Sequence, residues 1–333
     1  MKPPTTTASG EDSLIARYFR PIASDPGAFG LTDDAAILKS MSDDIVVTTD
    51  ALVEGVHFLP DDPPDTVAQK ALRVNLSDLA AKGATPAGFV LTLALRAADD
   101  AWLADFARGL GADAGRFACP LLGGDTVSTP GPLMASITAF GRITPGKMIH
   151  RSGAHAGDRV VVTGTIGDAA LGLDILRGGG VAAIFEGDAA ASLTLVQRYR
   201  VPEPRTALAQ VLRDHARAAM DVSDGLAGDL VKLCAASGVS AVIDVPAVPL
   251  SQPAARALSA GAVSLEALMS GGDDYEILCA IPDEGFEAFA QAAAAAGVTI
   301  SCIGAMIAAT SPPQFLDAQG RNLPLGRLSF SHF

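Results

Sequence analysis

Nine aspartates lie in short motifs rich in Gly, Ser and Thr, and these motifs run along almost the whole chain. They are Asp33 and Asp34 in GLTDDAA, Asp50 in VVTTDAL, Asp78 in NLSDLAA, Asp125 in LLGGDT, Asp221 and Asp224 in DVSDGLAG, and Asp273 and Asp274 in SGGDDYE. Several close an apolar run that reads as a strand, and others come just before a helical run. Those are the places where an α/β fold presents side chains to a ligand cleft. Clustered aspartates repel one another unless cations or basic groups intervene. Hard oxygen donors of this kind suit Mg²⁺, which takes a few carboxylates and completes its shell with substrate phosphates.

The spacing between the motifs predicts alternating strands and helices. A β-branched run at Ile45–Thr49 delivers Asp50 at its end, and helical periodicity over Thr66–Lys82 carries Asp78. Strands are expected at Gly88–Leu95, at Pro120–Leu122 entering GGDT, and at Leu133–Ile143, with a helix at Asp100–Phe117. A polar, glycine-rich connector, MIHRSGAHAGD, follows, and a fresh strand begins at Arg159. This places a domain boundary near 148, with an N-terminal domain of 1–148 and a C-terminal α/β domain of 149–333. In the second half, helices are expected at Asp168–Arg177, Ala189–Tyr199, Arg205–Ala216, Leu226–Ser237 and Asp283–Ala296. Strands are expected there at Ala218–Val222, Ala241–Val245, Tyr275–Ile281 and Thr299–Ile307.

Composition narrows the function. The net charge of −13 argues against nucleic acid as the main partner, while a small anionic substrate is tolerable if metals screen the carboxylates. Hydrophobic residues at 49% against 18% charged mean a large core, and 5% aromatics leave few stacking platforms. The N-terminal MKPPTTTASGED has no apolar region of signal-peptide type, and no apolar run is long enough to span a membrane, so a cytoplasmic protein is expected. Cys119, Cys234, Cys279 and Cys302 form no CxxC pair and read as structural thiols of a reducing compartment.

Other chemistries lack their residues. Gly141–Met148 has the spacing of a phosphate-binding P-loop but ends in Met148 where a hydroxyl must reach Mg²⁺, and it contains Pro145, so it reads as a turn. DVSDG lacks the ligand spacing of an EF-hand, and the five histidines form no zinc-ligand pair. Taken one at a time, Asp34, Asp50 and Asp78 each read first as a helix cap or turn residue and only second as a ligand. Asp50 is harder to explain that way, because apolar residues flank it on both sides and Thr48 and Thr49 set hydroxyls and carbonyls beside it. His57, seven residues after Asp50, could reach the same cleft, and Arg151 in the connector is a candidate phosphate-reading guanidinium.

Taken together, GEDSLIARYF, DDAAIL, TTDALVEGVHF, KALRVNLSDLAAKGA, LLGGDT, RSGAHAGD, DVSDGLAGDL and SGGDDYEIL resemble, in order, the motifs of the thiamine-monophosphate kinase family. That family belongs to the ATP-dependent superfamily of aminoimidazole ribonucleotide synthetase and selenophosphate synthetase. The resemblance implies a two-domain α/β (α+β) fold, with an N-terminal mixed sheet through whose strands members pair as homodimers. It implies transfer of the γ-phosphoryl of ATP to thiamine monophosphate, with several Mg²⁺ ions. By position, the implied metal ligands are Asp34, Thr48, Thr49, Asp50, Asp78, Asp125, Asp221 and Asp224. Gly124, Asp125, Arg151 and Ser223 would contact ATP, and His57, Asp273 and Phe330 the thiamine phosphate. Asp33 and Asp274 are expected only to cap or orient.

Two departures stand out: Asp273 where the family often has Glu, and Ser331 in place of an Asp in the C-terminal ending. Rival readings are a superfamily member with another acceptor, a non-catalytic nucleotide or metal sensor, and a metal-dependent phosphohydrolase. A selenophosphate-type enzyme would call for a reactive cysteine near the N-terminus, and the first cysteine here is Cys119.

Overall fold

The computed structural model describes residues 14–26, 28, 42–323, 325, 326, 328 and 329. The described residues form two compact units: one takes the chain up to Asn75 together with Pro86–Arg142, the other Leu76–Thr85 and the chain from Ile143 onward. The fold is the two-domain mixed α/β architecture that the motif order implied.

The first unit is built on a four-stranded sheet in the order β1-β4-β2-β3, with β1 Asp44–Val53, β2 Thr85–Leu95, β3 Leu121–Ser128 and β4 Met134–Ile143. The β-branched stretch from Ile45 to Thr49 lies inside β1, where its side chains suit a pleated surface. Helices cover Pro64–Ala81 and Asp100–Arg116. The second of these starts where the Asp99 carboxylate accepts hydrogen bonds from the Ala101 and Trp102 amides, and its inner face buries Leu103, Phe106 and Leu110. Its Asp113 meets Arg73 of the preceding helix in a bidentate pair, Nε–Oδ2 2.5 Å and Nη2–Oδ1 2.9 Å, with both side chains buried.

One expectation changes here. GGDT was read as following a short strand at Pro120–Leu122, but β3 runs straight through it to Ser128. The reason is pairing: β3 lies parallel to β2, with Leu91 opposite Gly124 and Thr92 opposite Asp125. A Cβ on Gly124 would sit 1.9 Å from the Leu91 carbonyl oxygen, so the glycine permits the close strand contact that lets β3 continue. Gly124→Ala should therefore destabilise the protein by about 1–3 kcal/mol through backbone displacement. An unchanged urea midpoint would contradict this.

The second unit carries a six-stranded sheet in the order β10-β7-β9-β5-β8-β6: β5 Arg159–Thr163, β6 Ala218–Val222, β7 Ser240–Asp244, β8 Glu276–Ile281, β9 Ile300–Ile307 and β10 Gln314–Leu316. All its pairings are antiparallel except β10 with β7. Alternation buries both faces. Val160, Val162, Met220 and Leu278 enter one apolar cluster, and Val161, Ala219, Ile277 and Cys279 enter another. Ala80 and Ala81 pack in the second cluster with Ile149, Leu208 and Leu212, which draws residues 76–85 into this unit. A single break near 148 does not capture that excursion.

Helices at Asp168–Leu176, Ala189–Arg200, Leu226–Ser237 and Phe286–Ala295 match the periodic runs to within a few residues. The run read as one helix from Arg205 to Ala216 divides into a 3₁₀ turn, Thr206–Leu208, and a helix, Ala209–His215. Near the N-terminus a π-helical turn, Ile15–Phe19, is followed by a 3₁₀ turn, Arg20–Ile22, that contains Pro21. Among the described residues no helix is long and apolar enough to cross a membrane. All four cysteines are free. Burial pushes the Cys119 thiol up to about 12 and Cys234 up to about 11, and it raises Cys279 as well, so these thiols stay protonated and unreactive.

Candidate functional site

In the first unit the expected ligands sit on two strands. Thr48 and Asp50, two residues apart on β1, share a face, and Thr49 projects to the other. There the Thr49 hydroxyl lies 3.2 Å from the Ile137 carbonyl, to which it donates, and 2.9 Å from the Thr138 hydroxyl. An ion held by Asp50 would therefore meet Thr49 through its carbonyl, not its hydroxyl. β1 and β3 are opposite edges of the sheet, so Asp50 and Asp125 stand about three strand spacings apart, roughly 14 Å.

His57 lies in the turn after β1. Its Nδ1 accepts the Val53 amide at 3.0 Å, and the Lys70 ammonium donates to its carbonyl at 2.9 Å. An accepting Nδ1 puts the proton of the neutral ring on Nε2, which makes Nε2 the ring's donor atom.

The second unit gathers Asp78, Arg151 and Asp221 around a residue that motif reading missed, Lys82. Its ammonium donates to the Ala219 carbonyl at 2.8 Å, two residues before Asp221 on β6. Burial lowers the Lys82 pKa, the Arg151 guanidinium lowers it further, and Asp221 and Asp78 pull it back up. Two cations and two carboxylates thus influence one another in this corner. The spacing Asp78 to Lys82, one helical turn, was a legible hint. Arg151 is anchored through its backbone: Ser237 Oγ donates to its carbonyl at 3.1 Å, and the Ala219 amide donates to the neighbouring His150 carbonyl at 3.0 Å.

The loops 221–225 and 270–275 pack against each other. Ser223 O accepts the Asp273 amide and Val222 O the Tyr275 amide, each at 2.8 Å. Gly225 has φ +115°, and a Cβ there would sit 2.7 Å from the Ser270 backbone, so only glycine fits. Asp273 at φ 73° and Tyr275 at φ 50° hold left-handed conformations that non-glycine residues adopt rarely and at a cost, a pattern that clusters at ligand sites. Ser223, Asp224 and Asp273 are all half-buried on these loops.

The neighbouring acids are structural. Asp274 is fully buried and accepts from the Gly167 amide at 2.7 Å and the Ala169 amide at 3.3 Å, capping the helix Asp168–Leu176 from outside. Burial pushes its carboxyl up to about 8, against the pull of Arg198 and the two amides. Because the native pKa lies above the unfolded one, Asp274's contribution is fully present below about pH 4 and is lost as pH rises toward 8. Wild-type stability should fall relative to Asp274→Asn between pH 5 and 8, by at most about 1.4 kcal/mol per unit. Urea unfolding across that range measures the gap, and a constant gap would mean Asp274 is ionised throughout. Glu276, also buried, binds Arg205, Arg198 and Thr163.

The donor set fits Mg²⁺. It is made of hard oxygens, and among the described residues no three His, Cys, Asp or Glu side chains converge into an all-protein cage. Carboxylates offered singly or in pairs suit an ion that shares its shell with substrate phosphates. Asp33, Asp34, Phe330 and Ser331 lie outside the described residues.

The chain matches two family models in succession: AIR synthase related protein, N-terminal domain, over 32–143, and AIR synthase related protein, C-terminal domain, over 155–312. A thiamine-monophosphate kinase of Caulobacter vibrioides is 44% identical, over 99% of this chain and 92% of its own length. Among solved structures, a thiamine-monophosphate kinase from Stenotrophomonas maltophilia is 33% identical with a TM-score of 0.81, covering 94% of this chain and 96% of its own. AaThiL complexed with AMPPCP and TMP is 28% identical with a TM-score of 0.76, covering 92% and 97%.

Proposed function

The chain belongs to the thiamine-monophosphate kinase family of AIR synthase related proteins, and from that premise we propose that it phosphorylates thiamine monophosphate with ATP, giving thiamine diphosphate and ADP. The observation that carries this is the near full-length match to relatives of that name, together with an ATP analogue and TMP on a related structure. The reaction is a phosphotransfer to a phosphate acceptor, the last step in making thiamine diphosphate.

The acceptor oxygen is ionised or nearly so at neutral pH, so the reaction needs positioning and charge neutralisation more than a strong base. That agrees with a chain whose motifs supply carboxylates, Arg151 and Lys82 and no nucleophile set. Asp34, Thr48, Thr49, Asp50, Asp78, Asp125, Asp221 and Asp224 would hold Mg²⁺, with Thr49 acting through its carbonyl. When bound, Mg²⁺ would draw off charge from the donor and acceptor phosphates and hold them in line. Gly124, Asp125, Arg151 and Ser223 would orient ATP. His57, Asp273 and Phe330 would orient the thiamine phosphate, with the His57 Nε2 proton directed to a phosphate oxygen and the Phe330 ring stacked on the thiamine ring.

Pairing as a homodimer is supported by two exposed edge strands of the first sheet, where Val47 is 57% and Val127 43% exposed. Free thiols, three of the four buried, and the use of ATP fit the cytoplasm.

Incubation with ATP and Mg²⁺, with and without thiamine monophosphate, separates this reading from its rivals. ADP and thiamine diphosphate formed only with the acceptor support the kinase. Phosphate released without the acceptor identifies a hydrolase, and absence of turnover identifies a sensor.

A further inference from the structure

The loop Ser223–Asp224 is held by a residue that no function assigned above uses. Asp229, in the first turn of the helix Leu226–Ser237, is completely buried. Its Oδ2 accepts hydrogen bonds from two consecutive amides, Ser223 N and Asp224 N, each at 3.1 Å. Its Oδ1 accepts from the Lys232 ammonium at 2.8 Å, and the same ammonium donates to Asp224 Oδ2 at 2.6 Å. The Ser223 carbonyl is taken by the Asp273 amide. Both backbone amides of the loop are thus spent inside the protein, so a ligand there is met by side chains or carbonyl oxygens and not by amide donors.

We propose that Asp229 is a positioning residue for nucleotide and metal binding: with Lys232 it fixes the backbone of Ser223–Asp224 and the angle of the Asp224 carboxylate. This rests on the assignment of Ser223 to ATP and Asp224 to Mg²⁺. A buried carboxylate that satisfies two adjacent amides and a cation is costly to desolvate, and the loop conformation is what that cost maintains. Lys232 sits half-exposed between the two carboxylates and keeps them from repelling each other.

The test uses the full-length protein and three variants. Asp229→Ala should raise KM for MgATP and the calorimetric Kd for Mg·AMPPCP by about 10-fold or more, the scale of supporting residues at a metal site, with KM for thiamine monophosphate within about twofold. Asp229→Asn keeps an acceptor oxygen for the two amides and should recover most of the loss. If Asp229→Ala melts earlier but its folded fraction binds Mg·AMPPCP as tightly as wild type, Asp229 is structural only and the proposal fails. Should Asp229→Ala not fold, Lys232→Met decides: about 3-fold or more weaker Mg·AMPPCP binding supports the device, and unchanged binding overturns it. Asp224→Asn separates the two levels. If it leaves nucleotide binding and Mg²⁺ dependence unaltered, the underlying site assignment is at fault. If it impairs them while Asp229→Ala does not, only the positioning role is lost.

Discussion

Asp50→Asn is expected to lower turnover by roughly two to three orders of magnitude, the scale seen when one preorganised charge-stabilising group is removed from an active site. The amide keeps the shape and loses the charge, so any Mg²⁺ held there loses its strongest donor on β1. Asp50 is exposed on an edge strand, and a surface change of this kind moves stability by only about 0.5 kcal/mol. The loss should therefore appear in kcat at saturating ATP, thiamine monophosphate and Mg²⁺, with the thermal midpoint within a few degrees of wild type. Near-normal turnover under those conditions would remove Asp50 from the site.

Glu276→Gln should act on the fold instead. Glu276 has no exposed surface, and it accepts from Arg205 Nε at 2.7 Å, Arg205 Nη2 at 2.5 Å, Arg198 Nη2 at 2.8 Å and Thr163 Oγ1 at 2.6 Å. Both guanidinium groups are largely buried as well, 16% and 20% exposed. Taking the anion away leaves two cations facing each other in a poorly solvated pocket. Breaking a buried pair in this way costs about 3–5 kcal/mol, because the partner charge is left uncompensated. Urea unfolding at neutral pH measures it, and a loss under 1 kcal/mol would mean the arginines find other partners. Arg198 also donates to the Asp274 carbonyl at 3.1 Å, so the damage should spread to the loop that carries Asp273.

The strands and long helices were legible because their periodicities are strong: β-branched runs at β1 and β5, and amphipathic runs at Asp100–Arg116 and Leu226–Ser237. The motif GGDT alone does not fix its conformation, and only the parallel register with β2 shows that Gly124 serves close strand approach. The short helices Gln252–Ser259 and Leu265–Ser270 were missed, although Ser251 and Ser264 cap them by accepting from Ala254 N and Ala267 N. A search for Ser three residues ahead of an apolar position would have found both. At the site, the aspartate motifs named candidate ligands, and Asp274 caps a helix as expected. Motif reading could not separate the faces of Thr49 and Asp50 in use, or the sheet edges of Asp50 and Asp125, since both follow from strand order. Nor could it find Lys82, Asp229 and Lys232, whose roles come from partners brought near by the fold.

The most direct measurement is the fate of the γ-phosphoryl group. Supplied with ATP carrying ¹⁸O in that group, thiamine monophosphate and Mg²⁺, the protein should place the label in the terminal phosphate of thiamine diphosphate, one per ADP formed, by ³¹P NMR and mass spectrometry. Label appearing instead in inorganic phosphate, with thiamine monophosphate unchanged, would contradict the account.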